Sequence, residues 1–363
     1  MLHTTLRVVV ALATLAAPAF AQPDPTAIGS LDGARVATPA ERDGELVYLA
    51  SAMSADDRAA LRAAAPGVRI VDGLTRETVL NHAAGAHAID AHLVTPEFLA
   101  SAPNLVWVQS RSAGVDRYMS LDGLVNNDRI VLTNMRAAHG PTIADHSMAM
   151  LLSLTRGLRG YDALQREGRW LRDLPDTEPI ALQGRTMLVV GFGGIGSEIG
   201  VRAHAFGMRI IATRRSAAQG PDWVERMGTA DDLMAMLPEA DVVALAVPLT
   251  PETEHLIDAA AFAAMKPGAY LINIARGRVV DTNAMLDALR SGRLAGAGLD
   301  VTDPEPLPAG HPLWREPNVI ITPHVAGVAD LTRDRAFALL RENIRRFDAG
   351  EPLLNVVDKQ AGY

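Results

Sequence analysis

The stretch Met187-Leu188-Val189-Val190-Gly191-Phe192-Gly193-Gly194-Ile195-Gly196 decides how this chain folds. Four apolar residues run straight into Gly-x-Gly-x-x-Gly, which reads as a buried strand, a tight turn and a helix over 195–206. Gly191 permits the turn, Gly193 lets the backbone approach a pyrophosphate, and Gly196 lets the helix lie close to the sheet. The helix N-terminus offers free N–H groups and the positive end of its dipole. Gly191, Gly193, Gly194, Ile195 and Gly196 are therefore candidate dinucleotide-binding residues. About twenty residues on, where a carboxylate would take up a ribose 2'-hydroxyl, the chain reads Thr213-Arg214-Arg215-Ser216. Two guanidinium groups and a hydroxyl suit a 2'-phosphate instead, so Arg214, Arg215 and Ser216 favour NADP(H), with NAD(H) possible.

Around this loop, apolar runs at 187–190, 209–212, 242–246, 270–273, 298–301 and 319–321 alternate with helical stretches. An earlier series, 46–49, 68–71, 105–108 and 130–132, does the same. Alternation of this kind indicates parallel sheets covered on both faces. Pro141 opens a helical pattern over 141–158, with His146, Met150 and Leu154 at helical spacing, suited to a rigid connector. The segment 330–348 is helical by pattern and has no clear strand after it, so it is expected to return to the first series. The expected architecture is α/β, with two doubly wound parallel-sheet domains. A Rossmann cofactor domain (139–327) is inserted in a flavodoxin-like substrate domain (44–138 plus 328–363).

With 363 residues and 48% hydrophobic content, the chain can bury more than one core. The 34 basic and 42 acidic side chains leave a net charge of -8 with no dense basic block, which argues against nucleic acid as a partner. Cysteine is absent and the ten histidines show no His-x-x-x-His pair, so no metal site is expected. Arg7, the apolar run 8–17 and Ala19-Phe20-Ala21 have the layout of a secretory signal peptide (1–21) cut after Ala21, followed by a polar linker (22–43). The apolar run is too short to be a permanent span, and no later stretch reaches the ~20 apolar residues one needs. The expectation is an exported, periplasmic protein, or a cytoplasmic one if the start lies further on. Arg7 alone does not make a twin-arginine signal, the route expected for a protein exported with its cofactor already bound.

Three further segments carry candidate chemistry: Ile274-Ala275-Arg276-Gly277-Arg278-Val279-Val280-Asp281, Asp303-Pro304-Glu305-Pro306 and Ile321-Thr322-Pro323-His324. Reducing a 2-keto acid requires a cation that holds the carboxylate and polarises the carbonyl, and an acid that protonates the oxygen. Arginine does the first in bidentate fashion, and an imidazole titrates near working pH.

With Leu182-Gln183-Gly184-Arg185-Thr186, Pro248-Leu249-Thr250-Pro251-Glu252-Thr253 and the segment 318–327, these pieces resemble the D-isomer-specific 2-hydroxyacid dehydrogenase family, which includes glyoxylate and hydroxypyruvate reductases, over about 46–356. The resemblance implies Arg276, Glu305 and His324 as catalytic residues. Glu305 would fix the His324 ring and favour its protonated form. It also implies Pro248 and Asp300 at the cofactor, the latter on the nicotinamide carboxamide. Ala113, Gly114 and Val115, within Arg111-Ser112-Ala113-Gly114-Val115-Asp116, would hold the substrate carboxylate together with Arg276. Trp107, Tyr118 and Trp170 are candidate pocket walls. Two departures stand out: Asp145 where the family commonly has Glu, and Thr302-Asp303 in place of an aromatic-rich spacing after Asp300. The implied activity is NADPH-dependent reduction of a small 2-keto acid such as glyoxylate or hydroxypyruvate to the D-2-hydroxy acid, by a homodimer. The alternative is a catalytically silent NADP(H)-binding sensor or scaffold, which would have no need of Arg276, Glu305 and His324 together.

Overall fold

The computed structural model describes residues 29–37, 39, 44–174, 178–215 and 219–363. The expected signal peptide, most of the linker and Ser216 lie outside the described residues.

Two fully parallel sheets organise the chain. The first contains β1 (Leu46–Leu49), β2 (Val68–Val71), β3 (Ala88–Asp90), β4 (Trp107–Gln109) and β5 (Val131–Thr133), in the order β2-β1-β3-β4-β5. The second contains β6 (Thr186–Val190), β7 (Arg209–Thr213), β8 (Val224–Gly228), β9 (Val242–Leu245), β10 (Ala269–Asn273), β11 (Leu294–Leu299) and β12 (Val319–Ile321), in the order β12-β11-β10-β9-β6-β7-β8. Strand order reverses between β1 and β3 in one sheet and between β6 and β9 in the other, and ligands of open α/β sheets bind at such points, outside the carboxyl ends of the strands.

Two of these strands have no counterpart among the apolar runs. β3 is three residues in an alanine-rich stretch, and β8 (Val-Glu-Arg-Met-Gly) is a polar edge strand whose charged side chains can remain in solvent.

Five helices matter for the site: α1 (Ala55–Ala64), α2 (Gly140–Thr155), α3 (Leu158–Arg166), α4 (Gly194–Ala205) and α5 (Asp330–Ala349). The single helix expected over 141–158 is two, because Gly157 takes a left-handed φ of 65° between α2 and α3. Helix α2 lies on the second sheet: Met150 packs over Gly298 and Leu154 over Gly296, and a Cβ at either glycine would crowd these side chains at 2.9 and 3.2 Å.

After leaving the second sheet, the chain comes back to the first. Leu339, Leu340, Ile344 and Phe347 of α5 share one apolar cluster with Leu46, Tyr48, Leu61 and Trp107. The Trp107 ring lies 5.2 Å from that of Phe347, and buried Asn343 donates to Gln109 Oε1 at 3.1 Å. Among the described residues, no helix is long and apolar enough to cross a membrane.

Candidate active site

Because β10, β11 and β12 are parallel neighbours, the loops that follow them leave one edge of the sheet side by side. Arg276 follows β10, Asp300 and Glu305 follow β11, and His324 follows β12. The first turn is shaped by buried Asn273, whose amide donates to the Arg276 carbonyl and whose oxygen accepts from Ala275 N–H, each at 3.0 Å. Gly277 then meets the second loop backbone to backbone, since a Cβ there would overlap the Thr302 carbonyl. Arg276 and Glu305 are thus carried on one packed unit.

His324 Nδ1 lies 2.7 Å from Glu305 Oε1, with both side chains more than two-fifths exposed. The backbone at His324 takes a left-handed φ of 56°, and its N–H donates to the Asp300 carbonyl at 2.8 Å. The buried Asp300 carboxylate brackets the histidine, accepting from the Thr322 hydroxyl at 2.6 Å on one side and from Val325 and Ala326 N–H at 2.9 Å on the other. Thr322 gives its only hydroxyl proton to Asp300, so at its 2.9 Å contact with His146 Nε2 it accepts, and the α2 histidine donates. A chain of polar contacts therefore runs from the connecting helix to the loop that bears His324.

The first sheet contributes the loop after β4. Its base is held by the fully buried Asp90, which accepts from Tyr48 Oη at 2.5 Å, Ser51 N–H at 3.1 Å and Arg111 Nη2 at 2.7 Å. Burial, together with the Asp90 charge, pushes the Tyr48 phenol well above its ordinary range, so it stays a donor. Asn134 donates to the Ala113 carbonyl at 2.9 Å, and Met135 N–H to that of Ser112 at 3.1 Å. The N–H groups of Ala113, Gly114 and Val115 find no acceptor among the described residues. Arg276 reaches across from the second sheet to this loop. Its Nε and Nη2 donate to Asp116 Oδ1 at 3.1 and 2.9 Å, and its Nη1 donates to the Ala275 carbonyl at 2.7 Å. A Cβ on Gly114 would overlap Nη2, so the guanidinium lies directly on the backbone there. Free N–H groups beside a guanidinium can hold a carboxylate.

The glycine loop stands at the strand-order reversal of the second sheet. Gly191, at φ 96°, abuts Ala246 just beyond β9, and a Cβ on Gly196 would overlap the Gly191 carbonyl. The N–H groups of Gly194, Ile195 and Gly196 at the start of α4 have no acceptor among the described residues, and the space around Gly193 Cα is open. These groups fit a pyrophosphate. Pro248 follows β9, and its carbonyl accepts from the Thr253 hydroxyl at 2.6 Å. Arg214 continues β7, its N–H donating to the Gly228 carbonyl at 3.0 Å, and the Arg215 guanidinium stacks 4.7 Å from the Tyr363 ring centroid.

The model of the D-isomer specific 2-hydroxyacid dehydrogenase NAD binding domain matches residues 148–326. A glyoxylate reductase of Thermococcus litoralis is 36% identical over 272 residues, covering 73% of this chain and 81% of that protein. The chain belongs to the D-isomer-specific 2-hydroxyacid dehydrogenase family. Its fold is similar to that of an NADPH-dependent glyoxylate/hydroxypyruvate reductase of Sinorhizobium meliloti in complex with NADP and sulfate, at 31% identity and TM-score 0.73, covering 88% of this chain and 100% of that one. It is also similar to a D-lactate dehydrogenase of Aquifex aeolicus complexed with NAD and lactic acid, at 29% identity and TM-score 0.69, covering 84% and 96%. The protein is thus an NAD(P)-dependent oxidoreductase acting between 2-keto and 2-hydroxy acids.

Within this dehydrogenase, the three aromatic candidates fall in different places. Trp107 is a core residue, fully buried between Tyr48 and Phe347 with its indole N–H on Thr133 at 2.8 Å. Tyr118 is buried in the cluster on the other face of the first sheet. Trp170 lies 94% exposed, beyond the end of α3. Trp107 is thus a core residue and not a pocket wall. Asp300 is committed to the His324 loop through both carboxylate oxygens, a role its position at a strand end did not announce. Asp145, one of the departures from the family, pairs with Arg202 of α4 at 2.5 Å, away from the His324 relay. Sequence reasoning gave no site role to Asp116, His146 or Thr322. Their partners are 160, 176 and 22 residues distant, so no local pattern marks them.

Proposed function

We propose that this enzyme reduces a small 2-keto acid, glyoxylate or hydroxypyruvate, to the D-2-hydroxy acid with NADPH as donor. The observation that carries the reading is the meeting of Arg276 with the unpaired N–H groups of Ala113, Gly114 and Val115, while His324 is held by Glu305. In the proposed mechanism, the keto acid's carboxylate lies on the 113–115 backbone and on Arg276, which also draws electron density from the carbonyl. Bonding Nδ1 to Glu305 leaves His324 Nε2–H as the donor that protonates the carbonyl oxygen. Bound reduced nicotinamide supplies the hydride. Asp300 and Thr322 keep the histidine loop in place throughout. The absence of a carboxylate after β7, with Arg214 and Arg215 in its stead, supports NADPH over NADH. Residues 44–138 and 328–363 form the substrate domain in this proposal and 139–327 the cofactor domain. The amino-terminal layout supports export with removal after Ala21, which amino-terminal sequencing of the periplasmic fraction checks. A homodimer is proposed from the family, to be checked by light scattering.

The deciding experiment is NAD(P)H oxidation by the protein beginning at Gln22 with glyoxylate, hydroxypyruvate, pyruvate and phenylpyruvate. Turnover preferring NADPH and one of the first two acids, lost in His324→Ala, is the expected result. NADPH binding without turnover of any acid would favour a sensor.

A further inference from the structure

Arg276 has five N–H bonds, and the structure places three of them. Nε–H and the Nη2–H on the same edge point to one oxygen of Asp116, at 3.1 and 2.9 Å. Nη1 turns one hydrogen back to the Ala275 carbonyl at 2.7 Å. The two that remain, one on each terminal nitrogen, have no partner among the described residues and suit the fork that fits a carboxylate or a carboxylate-carbonyl pair. The guanidinium is therefore held by its own loop and along its side by Asp116, beyond the loop that follows β4 of the first sheet.

We propose that Asp116 is a positioning residue that sets the plane of Arg276 from across the cleft, so that this fork exists only while the two domains are together. The proposal rests on the keto acid reading given above and adds a residue to it. Several observations support a specific role for this contact. Asp116 and Arg276 are 160 residues apart, and neither belongs to its partner's sheet. The pair is half-buried, with side-chain exposures of 31% and 25%, so water screens it less than a surface ion pair. Gly114, two residues before Asp116, clears the space the guanidinium occupies. One loop thus supplies the free N–H groups, the gap and the anchoring carboxylate. A flexible arginine without that anchor would sample many rotamers, and substrate would have to order it on binding.

The test uses the full protein saturated with whichever dinucleotide it binds more tightly. Oxamate, a non-reducible mimic of a keto acid, is titrated calorimetrically into wild type, Asp116→Ala, Asp116→Asn, Arg276→Ala and the Asp116→Ala/Arg276→Ala double variant, and kcat and KM are measured on the same set. We expect Asp116→Ala to weaken oxamate and lower kcat/KM by about 30- to 100-fold, with dinucleotide affinity unchanged. Asp116→Asn retains the accepting oxygen without the charge, and a smaller loss, about 3- to 10-fold, is expected. In the Arg276→Ala background the Asp116→Ala change should cost less than about threefold, since Asp116 acts through Arg276. Equal losses in both backgrounds, or unchanged oxamate binding in Asp116→Ala, would overturn the proposal. If Asp116→Ala does not fold, Asp116→Asn alone and combined with Arg276→Ala decides by the same comparison. Absence of turnover in wild type would sink the keto acid reading alone, because oxamate binding still reports on the fork.

Discussion

Replacing Gly114 with alanine separates catalysis from stability at a single position. Gly114 is not among the positive-φ glycines, so an alanine there adopts the same backbone. The obstacle is Arg276: a Cβ would overlap Nη2 and stand 2.8 Å from Cζ, where ordinary van der Waals contact begins at 3.4 Å. Clearing it requires Cζ to retreat by at least about 0.6 Å and Nη2 by roughly 1.5 Å, so the guanidinium must move by on the order of 1 Å or more. The far end of an arginine can do this at little cost to the fold, so stability should change by less than about 1 kcal/mol. The guanidinium would then sit away from both Asp116 and the 113–115 N–H groups. A misplacement of that size costs roughly 10²-fold in rate, or about 2.7 kcal/mol of transition-state stabilisation. Thermal melting and keto-acid-dependent NADPH oxidation on the same preparation test both halves. A Gly114→Ala enzyme within threefold of wild-type kcat/KM would refute the placement of Arg276 in the reaction, and a large fall in melting temperature would refute the claim that only a side-chain end must move.

Two other glycines should divide in a related way. Gly193→Ala places its Cβ in open space and should fold normally while losing about tenfold or more in dinucleotide affinity, whereas Gly277→Ala drives its Cβ into the Thr302 backbone and should lose about 3 kcal/mol or more, both readable by melting and cofactor titration. Asp300→Asn puts an amide N–H against the N–H that Oδ2 now accepts, which should cost about 1–3 kcal/mol and lower kcat through the His324 loop; unchanged melting and kcat together would remove Asp300 from that role. Burial at the start of α2 pushes the His139 imidazole below its ordinary value of 6.5, so the unfolded chain takes up the proton more readily than the folded one. The stabilisation is complete above that value and declines as pH falls below it toward the folded-state value. His139→Asn should flatten the loss of melting temperature between about pH 7 and pH 5, and an unchanged slope would show that this histidine does not contribute.

The sequence by itself determined the class of fold and the kind of chemistry. Apolar runs alternating with helical stretches require parallel sheets, because a run buried on both faces needs a helix on each side. Gly191, Gly193 and Gly196 are legible because each meets a steric demand within ten residues: a turn, an approach and a close packing. Arg276, Glu305 and His324 stand out as residue types following apolar runs, and the structure places them on loops from three adjacent strands. The lost strands β3 and β8 lack a pattern to read, one being Ala-Ile-Asp in an alanine-rich stretch and the other polar at an edge. Tertiary structure alone decided that Trp107 belongs to a core, that Asp300 anchors a loop, and that Asp116 faces Arg276. A buried tryptophan and a pocket tryptophan look the same in one dimension. A carboxylate's partner is set by which loops the sheets bring together, and Asp116 meets Arg276 from 160 residues away and from the loop after a strand of the other sheet.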